Sequence, residues 1–222
     1  VLFSAPTGSL LATMHANQLP RLRPAAATAL AAEKLVRKDA RVLAIFGSGV
    51  QAQAHIEALL LVHPFTQVLV CARSNAQQFA TDITAKYKIP TAVVDAMTAA
   101  STADTIVTCT RSNESLFDGN LVKAGCFIAA VGSSKPIARE IDDTLLSRAA
   151  RIVVEWLPAA KAEAGEFVRA AAGIIEDDKV VELGHVLAAN EVRNDHDIVI
   201  YKSVGIGLED IAIAKLIVDK IG

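Results

Sequence analysis

The apolar run Val42–Phe46, followed at once by Gly47-Ser48-Gly49-Val50-Gln51-Ala52, constrains this chain more than any other stretch. A continuous apolar pentapeptide reads as a parallel strand covered on both faces. In the G-x-G-x-x-A turn after it, Gly47 allows a tight reversal and Gly49 lets the backbone approach a pyrophosphate. Ala52 keeps the helix expected over 52–62 close to the sheet, with its N-terminus facing the anion. The motif is weak alone, but here it joins a strand to a helix inside a βαβ unit, the context that supports a dinucleotide site. The competing reading is a glycine turn that serves topology only.

The same rhythm continues downstream. Strands are expected at 68–71, 92–94, 106–109, 127–131, 152–155 and 198–201, and helices at Ala76–Tyr87, Asp143–Arg148 and 209–221. Alternation of this kind predicts an α/β domain, a Rossmann-type doubly wound and mostly parallel sheet. Upstream, 1–3 and 10–14 around Pro6-Thr7-Gly8 predict a hairpin. Arg23-Pro24-Ala25 opens an alanine-rich helix running to Arg37, with Pro24 at its first position. Residues 165–194 carry little pattern. The chain begins at Val1 without Met and stops at Gly222 after a helix, which reads as a piece of a longer protein.

The end of the second Rossmann strand indicates the dinucleotide. An NAD-type site places Asp or Glu there, about twenty residues past the glycines, to accept from the ribose 2′-hydroxyl. This chain has Cys71-Ala72-Arg73-Ser74-Asn75, with no acid before Asp82. A carboxylate would repel a 2′-phosphate, whereas Arg73 can pair with it bidentately and stack on adenine. Ser74 and Gln77 are spaced as a capping box, which leaves further donors nearby. The expected cofactor is therefore NADP(H), with NAD(H) less favoured; the plain alternative is that Arg73 is a surface arginine. Thr110, Arg111 and Val131 follow or end strands, where open α/β sheets bind ligands.

Composition excludes several classes. Twenty-two basic against 24 acidic side chains, a net charge of −2, argue against a nucleic-acid binder. With 52% hydrophobic residues the chain is not disordered. Residues 1–20 lack charge but hold Ser4, Pro6, Gly8, His15 and Asn17, too polar for a membrane span, and no basic segment precedes them. Cys71, Cys109 and Cys126 are too few and too scattered for a disulfide framework or a zinc site, which points to a reducing cytoplasm.

With these residues placed, the chain resembles the ornithine cyclodeaminase/mu-crystallin family along nearly its whole length. The resemblance is carried by Leu22-Arg23-Pro24-Ala25-Ala26-Ala27, the glycine turn with Gln53-Ala54-His55, Phe117-Asp118-Gly119 and Ala130-Val131-Gly132-Ser133-Ser134-Lys135-Pro136. It continues in Arg139-Glu140-Ile141-Asp142, Glu163-Ala164-Gly165-Glu166 and Lys202-Ser203-Val204-Gly205. It implies a homodimer with a second, substrate and dimerisation domain. On that view 1–39 is a remnant of the second domain, 40–203 the Rossmann domain, and 204–222 a helix returning to the second. Roughly a hundred further residues would precede Val1, and without them the substrate pocket is half built.

The activity implied is NADP(H)-dependent reduction of a cyclic imino acid such as Δ1-pyrroline-2-carboxylate or Δ1-piperideine-2-carboxylate to an L-amino acid. The alternatives are a non-catalytic NADPH-dependent binding protein of the crystallin type, an amino-acid dehydrogenase or an ornithine cyclodeaminase. By resemblance Arg23 holds the substrate carboxylate, Glu163 lies near the substrate, and Ser203 passes near the nicotinamide. True cyclodeaminases resemble Gly-Gly-Asp-x-Pro where this chain has Gly132-Ser133-Ser134-Lys135-Pro136. Ser134 replaces an acid that handles protons, and a serine does not ionise near neutral pH, which disfavours cyclodeamination. Ser133 or Ser134 would contact substrate or the nicotinamide carboxamide, or else belong to a loop that caps the following helix. The family usually has Thr where Pro24 stands, so a contact to the cofactor phosphate is lost. His55 is expected to be structural.

Overall fold

The computed structural model describes residues 1–189 and 193–221. A short antiparallel hairpin, β1 (Leu2–Phe3) and β2 (Leu10–Ala12), precedes helix α1 (Leu19–Leu35). The main sheet is built from β3 (Val42–Phe46), β4 (Gln67–Cys71), β5 (Thr91–Val93), β6 (Thr105–Thr108), β7 (Phe127–Ala130), β8 (Arg151–Val154), β9 (Val180–Glu182) and β10 (Val199–Lys202). Its order is β5-β4-β3-β6-β7-β10-β8-β9, and every pairing is parallel. Between the strands run α2 (Val50–Val62), α3 (Ala76–Tyr87), α4 (Ala96–Thr102), α5 (Asp143–Arg148), α6 (Leu157–Glu163), α7 (Gly165–Val168) and α8 (Leu183–Ala188); α9 (Gly207–Ile221) closes the chain.

The period-2 geometry of a strand explains the two cores. Leu43 and Ile45 of β3 point to one face, where they join Ala31 and Leu35 of α1, Ile56 and Leu59 of α2, Ile83 of α3 and Val186 of α8. Ala44 and Phe46 point to the other, against Ala99 and Ala100 of α4, Leu145 and Leu146 of α5 and Ala160 of α6. Strands covered on both faces cannot alternate polar and apolar residues, which is why they stand out as unbroken apolar runs. Strand order reverses at β3, between β4 and β6, so the crevice for a ligand opens at the carboxyl ends there.

Two local expectations are corrected. Helix α1 starts at Leu19, so Pro20 sits in its first turn and Pro24 lies inside. Pro24 has no N–H, which would leave the Pro20 carbonyl without its helical donor; Gln51 Nε2 donates to that oxygen at 2.6 Å instead. The Ser74–Gln77 capping box does not form: α3 begins after Asn75, which adopts a left-handed φ of 55° and makes no side-chain cap. The described part of the pattern-poor 165–194 region holds α7, β9 and α8, all too short to develop a period; residues 190–192 lie outside the described residues.

Candidate nicotinamide-dinucleotide site

A cavity of about 640 Å³ opens at the carboxyl ends of β3, β4, β5 and β6. Seven of the expected cofactor residues line it: Gly47, Ser48, Gly49, Arg73, Ser74, Thr110 and Arg111. Gly47 has φ 118°, and a Cβ there would stand 2.8 Å from the Cys109 carbonyl oxygen, so only glycine lets β3 turn this close to β6. A Cβ on Gly49 would meet nothing within 4 Å, and as N-cap of α2 it offers no side chain to the first-turn N–H groups. The result is an open helix N-terminus, suited to a phosphate. Ser48 Oγ donates to the Ser74 carbonyl at 2.8 Å and ties the glycine turn to the loop after β4.

Both arginines on this wall are exposed, and neither has an acidic partner among the described residues. The one acid lining the cavity is Asp95, at the N-cap of α4, whose Oδ1 accepts from Thr98 N at 2.7 Å. That bond holds its carboxyl below the usual range. Cys71 also lines the wall; burial, and then the negative Asp95, push its thiol up. Asp95 has no signal in the sequence, because β5 and its loop carry no glycine signature.

The remaining expected cofactor residues lie apart from this wall. Val50 is exposed on α2, and Gln51 turns its amide toward α1. Val131 is half-buried after β7. Ser203 is buried and donates to Glu155 Oε1 at 2.6 Å. Thr110, although on the wall, uses both its N–H and its hydroxyl on Glu140, at 2.7 and 2.6 Å. Ser134 and Glu163 are exposed and outside the cavity.

Three buried carboxylates brace the loops at this edge of the sheet. Glu140 accepts from Thr108 Oγ1, Thr110 N, Thr110 Oγ1 and Gly132 N, all at 2.6–2.8 Å, which locks the end of β6 to the loop after β7. Glu166 accepts from Ser133 Oγ and Glu140 N and pairs with fully buried Lys202 at 3.2 Å. Glu155, directly after β8, accepts from Tyr201 Oη, Ser203 Oγ, Val204 N and Gly205 N. An acid that directly follows an apolar parallel strand is a readable signal, and Glu155 carries it. Glu140 and Glu166 sit in loops without one.

Arg23 lies at the same edge, beside β10. A Cβ on Gly205 would come within 2.6 Å of its Nη1. Nη1 donates to Glu209 Oε2 at 2.7 Å, and Nε pairs with Asp210 Oδ1 at 2.9 Å. At about 4.8 Å per strand, β10 stands roughly 10 Å across the sheet from β6. His55 is fully buried, with Nδ1 donating to the Gln51 carbonyl at 2.8 Å and Nε2 facing Thr28 Oγ1 at 3.1 Å. A carbonyl only accepts, so Nδ1 carries the proton, and burial drops the imidazole pKa to about 4. That residue is a packing element between α1 and α2.

No helix among the described residues is long and apolar enough to cross a membrane. The model of the ornithine cyclodeaminase/mu-crystallin family matches residues 1–222. Ketimine reductase mu-crystallin of Mus musculus is 35% identical over 221 residues, 99% of this chain and 68% of that protein. Δ1-pyrroline-2-carboxylate reductase of Thermococcus litoralis, solved with NADH and L-proline, superposes with a TM-score of 0.92 at 29% identity, over 98% of this chain and 69% of that one. Iminosuccinate reductase of Paracoccus denitrificans, solved with NAD+, gives a TM-score of 0.90 at 32% identity, over 98% and 68%. With a match along its full length and reductases among its relatives, the chain belongs to the ornithine cyclodeaminase/mu-crystallin family and is an enzyme of the oxidoreductase class.

Proposed function

We propose that this enzyme is an NADP(H)-dependent reductase of a cyclic imino acid of the Δ1-pyrroline-2-carboxylate or Δ1-piperideine-2-carboxylate type. The observation that carries the reading is the cavity wall, where a glycine turn and an open helix N-terminus meet Arg73. The pyrophosphate would lie against Gly47–Gly49, where no side chain intrudes, and Arg73 with Ser74 would take the 2′-phosphate. The related structures hold NADH and NAD+, so the phosphate preference rests on the residues of this chain. When bound, the reduced nicotinamide supplies a hydride.

The protein's part is orientation and charge. Arg23 offers a planar fork to the substrate carboxylate, which leaves the ring's C=N to be presented to the coenzyme. The Glu140 and Glu166 braces fix the loop carrying Ser134, an exposed hydroxyl with hydrogen-bonding but no acid–base capacity at neutral pH. Dimerisation belongs to the same reading by family resemblance, as does the division of the chain at residues 39 and 203 into a Rossmann unit and parts of a substrate domain; a cytoplasmic setting is part of it through the three scattered free cysteines.

The test is NADPH oxidation with Δ1-pyrroline-2-carboxylate and Δ1-piperideine-2-carboxylate. Arg23→Met should raise KM by about a hundredfold, since a charge-assisted fork contributes about 1.5–3 kcal/mol per hydrogen bond. Coenzyme binding without turnover of either imine would favour a binding protein instead. An unchanged KM in Arg23→Met would remove Arg23 from the site.

A further inference from the structure

Glu209, the third residue of α9, sits among titratable groups from four elements. Arg23 of α1 donates to it through Nη1 at 2.7 Å. Its neighbour Asp210, half-exposed, lies 2.9 Å from Arg23 Nε. Glu155, after β8, faces it and is already filled by four donors, among them Tyr201 Oη of β10 at 2.8 Å. Burial, and then the negative Glu155, push the Glu209 carboxyl up to about 7, with Arg23 opposing. Burial and the same Glu155 push the Tyr201 phenol well above its usual range, so it stays neutral.

A guanidinium grips a carboxylate with two parallel N–H groups. On Arg23, Nη1 donates to Glu209, Nε lies 2.9 Å from the negative Asp210 Oδ1 without making a hydrogen bond, and Nη2 has no acceptor among the described residues. An incoming carboxylate that uses the Nη1–Nη2 edge must therefore displace Glu209. We infer that Glu209 is a positioning residue that holds Arg23 in the free enzyme and yields its Nη1 to a substrate carboxylate on taking up a proton. This rests on Arg23 being the carboxylate anchor. Uncharged Glu209 competes weakly for the guanidinium, so carboxylate binding is favoured below neutrality and weakened above it.

The test uses pyrrole-2-carboxylate, a planar carboxylate of imino-acid size whose carboxyl stays ionised from pH 6 to 8, titrated calorimetrically with excess NADPH. A group with a midpoint near 7 that must be protonated for binding gives about tenfold weaker affinity at pH 8 than at pH 6. Glu209→Gln should bring that ratio close to one, and a ratio still near ten would overturn the inference. In the unmodified protein, titration at pH 7 in buffers of different ionisation enthalpy should find about half a proton taken up per ligand; none would also overturn it. Arg23→Met should bind poorly at both pH values. Failure of the unmodified protein to bind the probe, or normal binding by Arg23→Met, would remove the anchor and the inference with it, whereas a pH-dependent Glu209→Gln removes only the latter.

Discussion

Replacing Glu140 by alanine is expected to cost about 3–5 kcal/mol of folding stability, the usual penalty for removing one partner of a buried ionic or hydrogen-bonded cluster. Four donors lose their acceptor at once: two threonine hydroxyls and two backbone N–H groups, at the end of β6 and in the loops after β6 and β7. Each unsatisfied buried donor costs about 1–3 kcal/mol, and local relaxation and water entry recover part of the sum. Against a typical total of about 5–15 kcal/mol this is a large fraction. Urea denaturation should move the midpoint down while the slope stays constant. A loss below about 1 kcal/mol would mean that the carboxylate is not what joins these strand ends. Because Thr110 lines the cavity and Gly132 opens the Ser133-Ser134 loop, the same variant should weaken coenzyme binding even where it remains folded.

Arg73→Asp is expected to shift the ratio of NADPH to NADH affinity by about a hundredfold or more toward NADH. The guanidinium is exposed on the cavity wall and engaged by no carboxylate among the described residues, so it has no structural role to confuse the result. Losing a charge-assisted contact costs about 1.5–3 kcal/mol, and a carboxylate in its place adds repulsion against the 2′-phosphate while offering an acceptor to a 2′-hydroxyl. At about 1.4 kcal/mol per tenfold, these effects together exceed two decades. The measurement is the pair of dissociation constants for each coenzyme in both proteins. If the ratio moves by less than about twofold, the phosphate is met elsewhere on the wall, with Arg111 the first candidate.

How far the sequence reveals this molecule depends on the length scale of each signal. Strands β3, β4 and β6 through β8 are legible because burial on both faces forces an unbroken apolar run, and Val42–Phe46 and Ala76–Tyr87 agree with the expectation to the residue. The glycine turn is legible because its backbone demand is local: a positive φ at Gly47 and open space at Gly49. What stays hidden is tertiary. Pro24 looks like a helix start and is tolerated inside α1 only because Gln51, from another helix, satisfies the carbonyl it strands. Ser74 has the spacing of a cap, but the left-handed turn at Asn75 redirects the chain. Glu140, Glu166 and Lys202 look like ordinary charged residues, and only the folded sheet edge brings their partners within reach. Arg23 is legible as a candidate anchor by resemblance alone; its pairing with Glu209 joins residues 186 positions apart.

Titration of the unmodified protein with NADPH and with NADH, at one pH and at low and high ionic strength, bears most directly on the assignment of the cavity. NADPH is expected to bind at least tenfold more tightly, with the difference shrinking as salt screens the exposed Arg73. Equal affinities, or tighter binding of NADH, would contradict a 2′-phosphate seat beside the end of β4.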